Sequence, residues 1–342
     1  MEKFTQLQGA FEKTAGKPEP SFESEAYQRE YWHHPWGMDN DYGKIRMALV
    51  HRPGKELESV NAESIYDPDL DIMFQKDYRL YWQGHTPLDI EKIQEEHDNL
   101  VNVLRKEGIE VKYSNIEKDE DLRTTGSGAY LPKLFYPKDP VIAVPHGFVI
   151  GRLGALGRQG EERIMAKVLA NLDAPILGMI RGTGMVEGGS FAMINPQTAV
   201  IGISNRNNEE GALQMERILS DMGVRLIRVP LCGWTIHIDF AFSMLDKDLA
   251  IIDPRQLPWW FLCELQSMGI RTIYDSPEEL CACHMLVTAP RRIIISKGSE
   301  RTAERLSKEG VEVAAVVDTT EAWRGGGIVR ALPAPLVRDP VE

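Results

Sequence analysis

The chain has 342 residues, 43% of them hydrophobic, with 39 Lys+Arg against 51 Asp+Glu and a formal net charge of -12. Such a length can bury a full core, in one large domain or two. The acidic balance, with no basic cluster interleaved with aromatics, argues against nucleic acid as a partner. No stretch approaches the roughly 20 apolar residues of a membrane helix, the first residues carry no signal-type apolar run, and four cysteines make no disulfide framework. The expectation is a cytoplasmic protein with small-molecule partners, no membrane and no nucleic acid.

Residues 1–40 are polar, broken by Pro18, Pro20 and Pro35, and hold Tyr31, Trp32 and Trp36. They read as an arm packed on a single body spanning 41–342. Ile45 to Val50 predicts a first strand, and the segment 52–90 reads as an insertion forming a lid or rim. Ile93, His97, Leu100, Val101 and Leu104 lie at helical spacing between Glu91 and Lys106. A unit of apolar strand, tight turn, second apolar strand and helix then recurs. Its strands are Val141–Val144 with Phe148–Ile150, Phe191–Ile194 with Ala199–Ile201, Phe240–Leu245 with Leu249–Ile252, and Met285–Thr288 with Ile293–Ile295. Pro, Gly, Asn and Asp at each break are the residues hairpins demand. Helices are expected at 160–171, 209–222 and 299–309. The turns recur at intervals of roughly 50 residues, a period that marks repeat architectures. Counting Ile45–Val50, five units that cannot bury their faces alone close into a ring: a five-bladed α/β propeller. Long single strands between helices, the mark of a doubly wound sheet, are missing.

Three groups sit at equivalent ends of successive units. Asp139 lies in Pro137-Lys138-Asp139-Pro140, Glu187 leads Gly188-Gly189, and His237 and Asp239 flank Ile238. Each alone has a plain reading as a turn or a strand entry. In a ring those ends converge on one axis, and a histidine among carboxylates there is a general acid–base arrangement. Alternation along an apolar strand puts His237 and Asp239 on one face. Cys281-Ala282-Cys283-His284 is too tightly spaced for zinc and has no second pair. Trp259 and Trp260 read as core or subunit interface, and a homodimer is expected.

The chain resembles the guanidino-group-modifying superfamily of amidinotransferases, arginine deiminases and dimethylarginine dimethylaminohydrolases, over roughly residues 40–340. The resemblance rests on Tyr42-Gly43-Lys44-Ile45-Arg46, His51-Arg52-Pro53-Gly54, Glu96-His97-Asp98, Lys138-Asp139, Glu187-Gly188-Gly189, the run from Gly202 to Asn208, His237-Ile238-Asp239 and Gly325-Gly326-Gly327. It implies the same five-bladed fold, with no cofactor. It also implies that Asp139 and Glu187 clamp a guanidinium, that His237 shuttles a proton with help from Asp239, and that Arg206 and Arg152 receive a substrate carboxylate. The absence of the extra helical insertion expected of arginine deiminases leans toward the amidinotransferase-like group.

Two departures stand out. Ser190 follows Glu-Gly-Gly where the family often has Asp, and Arg330 stands where the family has its nucleophilic cysteine. A guanidinium is permanently charged and cannot attack. Three resolutions follow. Asp139, Glu187, His237 and Asp239 hold a divalent metal that activates water; or Cys232 substitutes as the thiol; or the protein only binds, with Arg330 filling the acidic clamp or pairing with a substrate carboxylate. Either way the substrate class is a guanidine, an amidine or a related small molecule, cleaved at a non-peptide C–N bond by hydrolysis or amidino transfer.

Overall fold

The computed structural model describes residues 2–75, 78–116 and 118–341 and builds them into six three-stranded sheets among α and 3-10 helices. Five sheets follow one plan: two antiparallel strands, then a third strand parallel to the middle one and reached through a helix. Val141–Val144 pairs with Gly147–Ile150, and Ile176–Met179 returns beside it after the helix Glu161–Asn171. The plan repeats with the helices Glu209–Ser220, Trp259–Ser267 and Glu300–Lys308. In the first unit the antiparallel partner of Ile45–Val50 comes from the far end of the chain, Ala334–Arg338, and the parallel one is Glu110–Tyr113. The hairpins expected near 146, 196, 247 and 290 are all present, and the turn residues His146 and Arg291 take the left-handed conformation.

The first two strands of these units are buried along nearly their whole length, which is why they read as unbroken apolar runs instead of alternating ones. The third strands are more exposed and less apolar. Neighbouring sheets share their cores: Val200, Phe242, Ile251, Val287 and Ile293, from three successive units, form one cluster. The helix Ile90–Lys106 starts where Asp89 accepts a hydrogen bond from Lys92 N at 3.0 Å, and it buries Ile93, His97, Leu100, Val101 and Leu104.

One boundary differs from the reading of the sequence in a way that matters for the site. Phe240 does not begin a strand. Ile238–Phe240 is a single 3-10 turn, and the strand is Phe242–Asp246. Gly188–Ser190 forms the same turn before Phe191–Asn195. Glu187 and His237 are therefore the residues immediately ahead of equivalent turns. Period-two alternation does not apply at His237, because the backbone there is not yet extended into a ladder.

In the N-terminal segment, Gln28 is buried, donates to His146 O at 3.0 Å and accepts from Trp36 N at 2.9 Å. Trp36 enters the core beside Phe148, while Phe4, Leu7 and Phe11 on the helix Glu2–Lys13 are exposed. The insertion 52–90 supplies the sixth sheet, Ile65–Asp67, Ile72–Phe74 and Tyr81–Gln83. Trp259 and Trp260 are largely exposed, so they are not core. Among the described residues no helix is long and apolar enough to cross a membrane.

Candidate active site

Asp139, Glu187 and His237 converge: one ligand-type atom from each lies within 4.8 Å of the others, and all three residues are buried. His237 Nε2 is 2.7 Å from Glu187 Oε2, and its Nδ1 is 3.9 Å from Asp139 Oδ1. The imidazole lies directly over the Glu-Gly-Gly backbone. A Cβ added to Gly189 would sit 2.4 Å from His237 Nδ1, so glycine there is a steric requirement of the histidine's position. Glu187 is fixed from several sides: Gly154 N donates to its Oε1 at 2.8 Å, and its own N–H donates to the buried Asn207 Oδ1 at 2.7 Å.

Burial alone would lower the His237 pKa, but the Asp139 charge and the hydrogen bond and charge of Glu187 outweigh it and raise the imidazole above its ordinary value. Burial would raise Glu187, yet the His237 hydrogen bond and charge, with Arg206 and Arg158, bring it well below the ordinary carboxylate range. Both shifts favour an ion pair between the imidazole, at Nε2, and the Glu187 carboxylate.

Asp239 lines the same cavity but makes no hydrogen bond with His237. It accepts from Lys138 Nζ at 2.8 Å and lies 3.6 Å from Arg330 Nε and 3.7 Å from His284 Nε2. Burial would raise its pKa, but the Lys138 charge, with those of Arg330 and His237, holds it far down. Of the three arginines read from the sequence, Arg206 alone reaches the cavity, with Nη1 3.7 Å from Glu187 Oε1. Arg152 gives Nη1 to Gly184 O at 3.1 Å and is not on the cavity wall. Arg330 is buried and turned away from the cavity, donating to Asp41 Oδ2 at 2.8 Å and to Ser243 Oγ. Its neighbour Ala331 is on the wall instead, beside Gly325, Gly326 and Gly327. Ser190 Oγ is buried with no hydrogen-bond partner among the described residues.

The free space among these groups is about 30 Å³, room for a single water. The remaining wall holds residues that motif reading missed: Tyr81, Lys133, Tyr136, Arg158, Ile236, Phe240 and His284. Arg158 joins Asp139 Oδ2 at 2.5 Å to Glu161, donating to Glu161 from Nε at 3.0 Å and from Nη2 at 2.7 Å. Its sequence trace is an Arg and a Glu three apart at a helix start. Lys133 is visible as a lone lysine inside Leu131-Pro132-Lys133-Leu134-Phe135-Tyr136. His284, stacked on Phe240 at 4.8 Å, is pushed down to about 4 by burial and is neutral.

Residues 129–260 match the family model described as arginine deiminase. The arginine deiminase of Lactococcus lactis subsp. cremoris is 23% identical over an alignment covering 88% of this chain and 98% of that protein. That of Rhodococcus erythropolis is 21% identical over 90% and 98%. Among solved structures, the dimethylarginine dimethylaminohydrolase of Pseudomonas aeruginosa, complexed with citrulline, superimposes with a TM-score of 0.65 at 22% identity, over 85% of this chain and 99% of that one. The saxitoxin-pathway amidinotransferase of Microseira wollei gives 0.71 at 13% identity over 90% and 98%. The resemblance to the guanidino-group-modifying superfamily thus holds in both sequence and mixed α/β fold. Its named members among these matches are arginine deiminases, a dimethylarginine dimethylaminohydrolase and an amidinotransferase.

Proposed function

We propose that this relative of the arginine deiminases hydrolyses a C–N bond of a guanidine, amidine or related small planar molecule, and does so without a covalent intermediate. The observation that carries this is the composition of the cavity wall. It brings an imidazole and three carboxylates, Asp139, Glu187 and Asp239, together but offers no cysteine, serine or threonine among the described residues. The thiol or hydroxyl that would carry an amidino group is missing from this wall; attack by water needs neither. In this reading Asp139 Oδ1 and Glu187 hold the N–H edge of the substrate, and His237 delivers its proton to the leaving nitrogen. Arg206 receives an anionic substituent. Asp239 acts at one remove, anchoring Lys138 and Arg330. We read the five like sheets as blades around this cavity, because Asp139, Glu187 and His237 each precede the first strand of a successive sheet. Residues 41–342 are then one domain, 1–40 its arm, and a homodimer its working form.

A metal fits poorly. Glu187 Oε2 is taken by His237, Glu187 Oε1 by Gly154 N and Asp139 Oδ2 by Arg158, with Arg206 and Lys133 adjacent. A divalent cation would have to displace these hydrogen bonds and sit beside the guanidinium groups of Arg158 and Arg206. Arginine deiminases and dimethylarginine dimethylaminohydrolases need no cofactor.

The test is incubation with arginine, methylated arginines, agmatine and simple amidines, with detection of ammonia and of ureido or amide product, with and without chelator. Turnover indifferent to the chelator is expected, and His237→Ala should lower it by about 10²–10⁴-fold, the usual loss of a positioned acid–base group. Binding of these compounds without turnover would instead favour a member that has lost catalysis.

A further inference from the structure

Lys133 is 4% exposed and lies on the cavity wall. Among the described residues it has no carboxylate partner within ion-pair distance. It contrasts in this with Lys138, which is buried nearby and paired with Asp239 at 2.8 Å. Lys133 Nζ donates to Gly325 O at 2.7 Å and to Tyr81 O at 3.2 Å, and sits 4.8 and 5.0 Å from the ring centres of Tyr81 and Trp82. It ties the insertion to the glycine run, next to Ala331. A neutral amine carries two N–H bonds and one lone pair. The two carbonyls use both N–H bonds, which leaves the lone pair for the cavity.

The charged and titratable groups around it are Arg206 and Arg158, which oppose a further positive charge, Glu161 and Glu187, which favour one, and the phenols of Tyr81 and Tyr136. His237, Asp139, Asp239 and His284 complete the wall. Burial first, and the two guanidinium groups next, hold the amine well below the usual lysine range.

We propose that Lys133, as the neutral amine, is the general base that activates water in this cavity, doing without the thiol that the glycine run lacks. This rests on the hydrolytic reading given above. Lys133 takes a proton from water as the oxygen adds to the amidinium carbon, giving a neutral tetrahedral adduct. His237 gives its proton to one nitrogen, and the C–N bond breaks with its electron pair going to that nitrogen. The departing amine takes the proton of the former water hydroxyl, leaving an amide or urea carbonyl. The ammonium of Lys133 then returns a proton to His237. The sum is amidinium plus water giving amide plus ammonium.

The decisive measurement needs no substrate. Protein labelled with carbon-13 at the lysine Cε is titrated by NMR, with Lys133 assigned by its absence in Lys133→Arg. A Lys133 signal that moves at a pH clearly below that of the exposed lysines is expected; one that titrates with them, or above, overturns the proposal and leaves the hydrolytic reading standing. With a substrate in hand, Lys133→Arg keeps a donor and a positive charge but has no usable lone pair. It should lose about 10²–10⁴-fold in kcat while its melting profile shows it folded, and retained turnover in Lys133→Arg sinks the assignment.

Discussion

Two cavities lie on either side of the segment 231–236, and they differ in kind. The one faced by Ile236 and His237 has about 30 Å³ of free space, and nearly every charge in it is paired across the wall. The one faced by Cys232, Gly233, Trp234 and Thr235 has about 440 Å³ and opens to solvent, with the half-exposed Arg255 and Glu278 on its rim. Volume alone would favour the second as the reactive site. Chemistry favours the first, because there a buried imidazole and two buried carboxylates, His237, Glu187 and Asp239, stand on one wall and are held away from their ordinary titration ranges by neighbouring charges. A site that stabilises developing charge needs preorganised charge and excluded water more than it needs room.

The comparison breaks most readily at Arg158, which makes the small cavity a closed network. Replacing it by Met removes the only ion-pair partner that Glu161 has among the described residues and one of the two on Asp139, leaving the buried Glu161 uncompensated and Asp139 with His237 alone. Arg158→Met is expected to lower unfolding free energy by about 3–5 kcal/mol, the cost of breaking a buried ion pair from one side, read from denaturant midpoints at constant slope. A variant as stable as the parent would mean that water reaches these carboxylates as freely as it reaches the larger cavity.

The Glu187–His237 pair sharpens the same contrast through pH. His237 is raised above its unfolded value, so its contribution is complete below the ordinary imidazole range and is lost as pH rises through the raised value. Glu187 is depressed, so its contribution is complete above the ordinary carboxylate range and is lost as pH falls through the depressed value. Glu187→Gln should therefore cost most between those two ordinary values, about 1.5–3 kcal/mol for a hydrogen bond between charged groups. The gap from the parent should narrow on the alkaline side as His237 deprotonates. Melting temperatures of the two proteins across pH 5 to 10 check this, and a constant gap would mean that the pair is not ionic.

The contrast also marks what could be read from the sequence. The acid–imidazole wall was legible because its members precede the strands of repeated units, and a repeat places equivalent positions at equivalent sites whatever lies between them. His237 and Asp239 line one cavity although the strand alternation used to argue a shared face does not exist there; the direction of His237 is set by the turn Ile238–Phe240 and by contact with Gly189. The opposite wall was not legible. Lys133, Tyr81 and Ala331 come from an irregular approach, an insertion and a glycine-rich turn, where no period projects a side chain. Arg330 shows the limit most clearly. Position along the chain brought it to the place of a nucleophile, but one residue's rotation sends its guanidinium to Asp41 and turns Ala331 to the cavity.

Cys232 separates the two cavities at the level of a single atom. It is exposed, lies on the wall of the larger cavity, and is absent from that of the smaller one. For its sulfur to act on a substrate held by Glu187, the segment 231–236 would have to invert. Leu231 N bonded to Ile203 O at 2.9 Å and Ile236 O accepting from Ser204 Oγ at 2.6 Å hold both ends of that segment. Cys232→Ser exchanges one small exposed polar group for another, so stability should stay within about 0.5 kcal/mol of the parent, as for surface substitutions generally. Turnover should be unchanged, and the variant should lose one of the two exposed thiols, the other being Cys263, toward an alkylating reagent without losing activity. Were turnover to disappear with that thiol, the reactive centre would belong to the larger cavity, and the buried charges of the smaller one would be its scaffold.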